Sequence, residues 1–441
     1  MIGSMRTLLA ALLLLLVAPL ASAQSFNEAF TECPATLTGS SQPEQIHLQL
    51  ADSHDEMMVM WATEVRGNAE VEWSSSAGET SASGESYCYN HGKAFHMALM
   101  TGLPAGEEIT YRVGDGSTWS PELSFTTINP DAEHFEWISI ADHGMSDEGQ
   151  QVSDGIISDQ NAQLVTISGD ISYADGDQNV WDDWFDIQQA SMVRIPWVTS
   201  VGNHENEPGP GFIPYEHRFD SDEVKESEGF WYARDMPGVH MVFISSEHPF
   251  DEGSAQFNWI KADLEAANSE QAREERPFII IYSHKPMYSS NSYHGSEVEL
   301  RDALELLYVE NKVDLIVAGH DHFYERTHPV IGEQVVENGP VHLVIGMGGR
   351  SAYEELDEPQ PEWSAFRENS SYGWTRLVYD GESRTIDFTH HRIDGSIGDT
   401  FTLHEGGEMV MPAVEDSLGI AGINAVLTLT ALLGAALFTD R

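Results

Sequence analysis

Residues 163–173 read QLVTISGDISY, an apolar run that ends at Gly169 and is followed at once by Asp170 and Tyr173. A short apolar run bounded by a turn residue is typical of a buried β-strand. Similar runs recur after residue 134, and segments with helical periodicity separate several of them. This alternation predicts an α/β fold. The predicted strands are 135–141, 163–168, 195–201, 239–245, 278–282, 314–318 and 341–345, and the predicted helices include 180–192, 254–267 and 296–310.

A different pattern precedes this part of the chain. Between residues 43 and 128, short stretches of alternating apolar and polar residues are separated by Gly or Pro turns, which is typical of an all-β sandwich. The segment from Leu103 to Tyr111 resembles the tyrosine corner of fibronectin III and immunoglobulin-like domains. We therefore expect a fibronectin III-like β sandwich over 43–128, a linker at 129–131 and an α/β domain over 135–405. The sandwich histidines are expected to be surface or strand residues rather than ligands: His47, His54, His91 and His96.

Polar side chains follow five of the predicted strands of the second domain. Because ligands bind at the carboxyl ends of strands in open α/β sheets, we expect these side chains to converge on one cleft. A single His or Asp in this position usually caps a turn or is solvated. Five clusters with carboxylate, amide and imidazole donors are what a site for two metal ions needs. The side chains are Asp142, Asp170, Asn203 with His204, His284, and His320 with His322.

Motifs built around these side chains resemble, in order and type, the five blocks of the metallophosphoesterase superfamily. They are Asp142-x-Gly144, Gly169-Asp170-x-x-Tyr173, Gly202-Asn203-His204-Glu205, His284 after an apolar strand, and Gly319-His320-Asp321-His322. Tyr173 is similar to the tyrosine of one branch, the purple acid phosphatases. With the β sandwich ahead, the resemblance covers roughly residues 43–405. It implies a fibronectin III/immunoglobulin-like β sandwich followed by an α/β sandwich metallophosphoesterase domain.

The resemblance also implies a set of seven metal ligands. One ion would be bound by Asp142, Tyr173 and His322, a second by Asn203, His284 and His320, and Asp170 would bridge the two. A phenolate such as Tyr173 suits ferric iron, and two imidazoles with an amide oxygen accept zinc, manganese or ferrous iron. The implied cofactors are therefore iron at the first site and zinc, manganese or iron at the second.

The implied activity is that of an acid phosphatase, which hydrolyses phosphate monoesters by attack of a metal-bound hydroxide on phosphorus. The resemblance gives His204 the role of orienting a small phosphorylated substrate, and gives His294 that of stabilising or protonating the leaving oxygen. The alternative for each is an exposed loop histidine. Two other functions stay open: a phosphodiesterase or nucleotidase with the same ligands, and a non-catalytic surface module in which the metals only stabilise the fold.

Three residues depart from the family pattern. Ala141 replaces the Gly that usually precedes the first Asp, which is tolerable unless the strand end needs positive φ. Tyr293 stands where plant-type members often carry the first residue of a His-His pair, so the resemblance does not give the leaving-group contacts or the pH optimum. His143 follows the first Asp and is an additional imidazole that we expect near the cleft. We assign it no role.

Both ends of the chain carry apolar segments. Residues 1–23 combine Arg6, an apolar run and the stretch Ala21-Ser22-Ala23, which is typical of a signal peptide. Export to the cell surface or the extracellular space is predicted, or to the periplasm if the cell has an outer membrane. Residues 418–438 are uncharged and would span about 31 Å as a helix, so we interpret them as a membrane anchor or a removed sorting tail. For Cys33 and Cys88, a disulfide and free thiols both stay open.

The chain is strongly acidic. It contains 72 Asp and Glu against 21 Lys and Arg, which gives a net charge of −51. We expect no nucleic-acid binding, because such binding depends on neutralising phosphates with basic side chains and this chain has few of them. A small phosphorylated substrate is still compatible, since metal ions can reverse the local field. The sequence leaves the oligomeric state open.

Overall fold

A computed structural model describes residues 37–89, 91–219, 230–406 and 409–410. The predicted signal peptide over 1–23, the apolar tail over 418–438 and Cys33 lie outside these residues. Cys88 is disulfide-bonded. Within the described residues, no helix has both the length and the apolar character needed to cross a membrane.

The N-terminal part is a sandwich of two four-stranded sheets. One sheet has the order β1-β2-β6-β5 and the other β4-β3-β7-β8. Alternate side chains of both sheets meet in a core that includes Trp61 and Trp73, as the alternating sequence predicts. The strands are β1 (Glu44–Leu50), β2 (Glu56–Thr63), β3 (Glu70–Ser75), β4 (Gly78–Ser83), β5 (Glu85–Tyr87), β6 (Ala94–Thr101), β7 (Glu108–Gly114) and β8 (Leu123–Thr126).

The second part contains sixteen described strands and six described α-helices. The strands are β9 (His134–Ile140), β10 (Leu164–Ser168), β11 (Trp197–Ser200), β12 (Tyr232–Met236), β13 (Val239–Phe243), β14 (Phe278–Tyr282), β15 (Leu315–Ala318), β16 (Tyr324–Thr327), β17 (Val330–Ile331), β18 (Gln334–Val335), β19 (Val341–Ile345), β20 (Ser364–Glu368), β21 (Gly373–Asp380), β22 (Thr385–Arg392), β23 (Ile397–His404) and β24 (Met409–Val410). The helices are α1 (Asp147–Ser158), α2 (Gln178–Met192), α3 (Ile213–Arg218), α4 (Ala255–Ala267), α5 (Glu270–Glu275) and α6 (Val298–Glu310), and a 3₁₀ turn covers Asn203–Glu205.

Two seven-stranded sheets pack face to face between layers of helices. Their orders are β11-β10-β9-β21-β22-β23-β24 and β12-β13-β14-β15-β19-β16-β20. The apolar layer between them contains Trp137 and Tyr282, and the Trp137 indole N–H donates to the Tyr282 hydroxyl across it at 2.8 Å. Helices α1 and α2 cover the outer face of the first sheet, and α4 and α6 cover the second. The expected α/β sandwich is therefore confirmed, with two central sheets.

Strand direction positions the site. In the first sheet β9, β10 and β11 are parallel, and in the second β13, β14, β15 and β19 are parallel. The chain therefore leaves β9, β10, β11, β14 and β15 at their carboxyl ends, where the polar side chains were predicted. These ends belong to two sheets, so the cleft lies between sheets rather than along one.

The sandwich is joined to the second part by buried hydrogen bonds. The Tyr111 hydroxyl donates to the Val193 carbonyl at 2.8 Å, and Tyr111 is 1% exposed. In the tyrosine corner that this segment resembles, the hydroxyl bonds back to its own domain. Here it crosses to the end of α2, so the expected internal corner is replaced by an interdomain contact.

Arg218 lies at the centre of the same interface. Its side chain is 1% exposed and donates to Asp182 at 2.8 Å and to the Gln45 side-chain oxygen at 3.1 Å. His47 of β1 contacts the Arg218 carbonyl at 2.7 Å, and burial lowers the pKa of His47 to about 4. Of the other sandwich histidines, His96 lies in β6, His54 is exposed and His91 pairs with Asp182.

Candidate metal centre

The loops that carry the donor side chains have an unusual backbone. Asp142, Asp170, Tyr173 and His320 have φ between 52° and 68°, a left-handed conformation that costs a non-glycine residue about 1 to 3 kcal/mol. Ala141 has no positive φ, so its replacement of Gly causes no backbone strain. Sharp turns of this kind direct the side chains that follow β9, β10 and β15 into the cleft between the sheets.

Two glycines let the loops approach one another. A Cβ added to Gly202 would lie 2.2 Å from Oδ1 of Asp170, and one added to Gly319 would lie 2.3 Å from Oδ2 of Asp142. Both distances are far below van der Waals contact. The absence of a side chain at these positions is therefore a geometric requirement of the cleft.

The cleft contains two groups of donor atoms, and the first is formed by Asp142, Tyr173 and His322. The Tyr173 hydroxyl oxygen lies 3.0 Å from Oδ1 of Asp142 and 3.0 Å from Nε2 of His322. His322 Nε2 lies 3.4 Å from Oδ1 of Asp142. Ligands bound to one cation at about 2.0 to 2.2 Å are separated by similar distances. We call this set donor group one.

Donor group two contains Asp170, Asn203, His284 and His320. Nε2 of His284 is its centre: it lies 3.2 Å from Oδ1 of Asn203, 3.3 Å from Oδ1 of Asp170 and 3.3 Å from Nδ1 of His320. The carboxylate and two imidazoles of this group can hold a metal ion with their donor atoms all within 4.8 Å of one another. Amide, carboxylate and imidazole donors suit zinc, manganese and ferrous iron.

The outward-facing ring nitrogens fix which atoms face the cleft. His284 Nδ1 lies 2.9 Å from the Ser168 carbonyl, and His322 Nδ1 lies 2.8 Å from the Ser351 carbonyl. A carbonyl can only accept, so each Nδ1 carries a proton and each Nε2 is the ring nitrogen that faces the cleft, where it can bind a cation in place of its own proton. Metal-binding histidines in proteins are oriented in this manner.

The electrostatics of the cleft favour positive charge. Burial opposes ionisation of His284, but the Asp170 carboxylate outweighs it and raises the pKa of His284 to about 10. Burial and the Asp142 carboxylate raise the pKa of Tyr173 well above its usual value. Tyr173 can thus become a phenolate only beside a cation, and the residues present fit a pair of bound metal ions.

Glu205 supports these loops from beneath. It is 1% exposed, and its carboxylate accepts the backbone N–H groups of Asp170, Ile171 and Gly202, each at 2.8 Å. These bonds join the turn after β10 to the turn after β11. The sequence placed Glu205 within a motif without giving it a role, because its partners are backbone groups distant in sequence.

His204 and His294 lie beside different members of donor group two, Asp170 and His320. His204 Nδ1 lies 2.5 Å from Oδ1 of Asp175, and its Nε2 lies 3.8 Å from Oδ2 of Asp170 with the side chain 31% exposed. The exposed His294 ring stacks on His320 with centroids 4.1 Å apart. Burial and the neighbouring His322 lower the pKa of His294. Both imidazoles can therefore reach a molecule bound in the cleft.

His143 lies in the core instead of the cleft. It is 1% exposed, accepts the Trp184 indole N–H at Nδ1 over 2.9 Å and contacts the Ser153 hydroxyl through Nε2 at 3.1 Å. Burial lowers its pKa to about 4. The expectation of an extra imidazole near the cleft was wrong: the side chain after Asp142 turns toward α1 and α2, where it packs as a neutral residue.

Family models match both parts of the chain. One described as "Purple acid Phosphatase, N-terminal domain" matches residues 43–127, and one described as "Iron/zinc purple acid phosphatase-like protein C" matches residues 339–400. The first covers the β sandwich, and the second runs from just before β19 into β23.

Curated relatives and solved structures agree with these matches. Purple acid phosphatase 18 of Arabidopsis thaliana is 34% identical over 375 residues, covering 80% of this chain and 82% of the relative. A purple acid phosphatase of Glycine max is 31% identical over 394 residues, covering 80% and 83%. The structure of purple acid phosphatase PPD1 from yellow lupin (Lupinus luteus) seeds superposes with a TM-score of 0.77 at 22% identity, over 82% of this chain and 74% of that one.

Proposed function

Because this chain belongs to the purple acid phosphatase family, we propose that it hydrolyses phosphate monoesters at a centre of two metal ions. The observation that carries the proposal is the pair of donor groups, with His204 beside Asp170 and His294 stacked on His320. In this reaction the oxygen of a water forms a bond to phosphorus and the ester P–O bond breaks. The leaving oxygen gains a proton, and the products are an alcohol and phosphate.

We assign the ligands from the two donor groups. Donor group one would hold iron, with the phenolate of Tyr173 as its characteristic ligand. Donor group two would hold zinc, manganese or iron, and the Asp170 carboxylate would bridge both ions. Metal ions bound there would supply an activated water as the nucleophile and would neutralise the charge that develops on the phosphate. The outward hydrogen bonds of His284 and His322 support this assignment.

The two histidines beside the donor groups, His204 and His294, would have different roles in the reaction. His204 Nδ1 is held by Asp175 and Nε2 lies toward Asp170, so in its doubly protonated form the imidazole can donate through Nε2 to a phosphate oxygen and orient the ester. His294 is exposed and stacked on His320, so it can stabilise the leaving oxygen or give it a proton. General acid catalysis of this kind contributes about 10² to 10⁴ in rate.

We also propose how the chain is organised and where it acts. Residues 1–23 would be a signal peptide, 43–128 the β sandwich, 135–405 the catalytic domain and 418–438 an anchor or sorting tail. The protein would then be exported and act at the cell surface or beyond it. Mass spectrometry of the mature protein tests both ends: an intact residue 1 would refute the signal peptide, and loss of 418–438 would refute a retained anchor.

Metal analysis combined with a monoester and diester assay tests the activity. Asp170→Asn should lose bound metal and turnover together. Asp314→Asn is the matched control, because Asp314 is similarly buried at 4% but precedes β15 at the opposite end of the strand. Normal metal content and turnover in Asp170→Asn would contradict the proposal. Faster diester than monoester cleavage would favour the phosphodiesterase alternative, and metal-loaded protein without turnover would favour the non-catalytic module.

A further inference from the structure

Two loops lie side by side at the His294 edge of the cleft. The loop over 289–294 is joined to the segment over 353–357 by the Asp357 N–H, which donates to the Ser290 carbonyl at 2.8 Å, and by the Ser292 N–H, which donates to the Glu355 carbonyl at 3.1 Å. The Ser292 hydroxyl also donates to Oδ1 of Asp357 at 2.9 Å. The backbones of these two loops are therefore joined before any substrate binds.

Two tyrosines project from the paired loops and form what we call the aromatic platform, Tyr293 and Tyr353. Their ring centroids lie 4.6 Å apart with an interplanar angle of 38°. The Tyr353 ring stacks on His322 of donor group one, at 4.2 Å and 14°. Its hydroxyl lies 3.2 Å from Nε2 of His294, which in turn stacks on His320 of donor group two. The platform thus contacts donor group one directly through Tyr353 and reaches donor group two through the His294 ring.

The outer half of the platform is open to solvent. Tyr293 is 69% exposed, the highest fraction among the exposed large hydrophobic side chains of the described residues. An exposed ring gains little stability for the fold, because little of its apolar surface is removed from water. A planar apolar group lying against Tyr293 would remove that surface from water and add the preference of aromatic rings for offset or edge contacts.

We propose that Tyr293 and Tyr353 determine specificity by contacting the leaving group, and that they favour esters whose leaving group carries an aromatic ring. The inference rests on the proposed function, since it places the leaving oxygen beside His294. Because the Tyr353 hydroxyl contacts His294, an aromatic ring attached one or two bonds beyond the leaving oxygen would reach the platform. A short aliphatic leaving group would end before it.

Benzyl phosphate and ethyl phosphate test this proposal, because both leaving groups are primary alcohols and only benzyl phosphate carries a ring. Tyr293→Ala should raise KM for benzyl phosphate about 3- to 10-fold, the range expected for one aromatic contact. The kcat for both substrates and the KM for ethyl phosphate should stay within about twofold of the unmodified protein, since uniform binding alone is removed. Tyr293→Phe keeps the ring and should behave as the unmodified protein. Leu306→Ala is the matched surface control, since Leu306 is 68% exposed on α6.

The same variants are then titrated with benzylphosphonate and ethylphosphonate, which cannot be hydrolysed at the P–C bond. Benzylphosphonate should bind more tightly than ethylphosphonate, and Tyr293→Ala should abolish this difference. That result supports the platform even if neither ester is hydrolysed, and in that case only the proposed hydrolysis fails. Equal effects of Tyr293→Ala on the benzyl and ethyl compounds, or no effect on either, would overturn the inference while leaving phosphatase activity in place.

Discussion

His240 lies between two carboxylates, Asp235 and Asp263, and forms an ion triad with them. His240 Nδ1 lies 2.6 Å from Asp235 and Nε2 lies 2.9 Å from Asp263, with the His240 side chain 12% exposed. Burial opposes ionisation, but the two carboxylates raise the pKa of His240 from 6.5 to about 9. A rise of this size corresponds to ~3 kcal/mol of stabilisation of the folded state. Because the folded pKa is the higher one, this stabilisation is complete below pH 6.5 and is lost as the pH rises through 9.

His240→Gln should therefore lower the free energy of unfolding by about 2 to 3 kcal/mol at pH 6 and by about 1 kcal/mol or less at pH 10. Urea denaturation at both pH values measures the difference. His134→Gln is the matched control: His134 also pairs with a carboxylate, Glu136 at 2.7 Å, but its side chain is 57% exposed, so its loss should cost less than about 1 kcal/mol at either pH. An equal effect of His240→Gln at pH 6 and pH 10 would refute the reasoning.

Two further predictions concern the metal centre. Tyr173→Phe should abolish the visible absorption band of oxidised, iron-loaded protein, because the band requires a phenolate ligand. A spectrum identical to that of the unmodified protein would show that Tyr173 is not a ligand. Glu205→Gln should lower the free energy of unfolding by about 1.5 to 3 kcal/mol and weaken metal binding, since an amide nitrogen cannot accept the N–H that one carboxylate oxygen now accepts. Denaturation and metal titration measure both effects, and unchanged values would mean that Glu205 does not support the loops.

The sequence predicted the central strands well because they are apolar runs with clear ends. The predicted strands over 278–282 and 341–345 match β14 and β19 at both ends, and all seven predicted ligands lie together in the cleft. Strand-end chemistry is local in sequence, so it can be read without knowing how the sheets pack. The ligand roles of these residues stay a prediction.

Features that depend on distant contacts could not be predicted. The strands β20 to β24 complete the two sheets. That β21 lies next to β9 in the first sheet depends on pairing between strands far apart in the sequence, which no local pattern indicates. Helix α1 was missed because Asp147–Ser158 has few apolar residues. The pairing of Tyr293 with Tyr353 joins loops some sixty residues apart, and no motif marks it.

The interface between the sandwich and the second part of the chain limits how freely the two can be separated. Sandwich side chains bond the Val193 and Arg218 carbonyls, and Gln45 accepts from the buried Arg218 guanidinium. A gene that encoded the second part alone would leave these groups facing water or unsatisfied, and would expose an arginine beside Trp181 and Phe185. The N-terminal sandwich therefore cannot be exchanged freely. A chimera that replaced it would have to reproduce the contacts of Tyr111, His47 and Gln45 for its second part to fold normally.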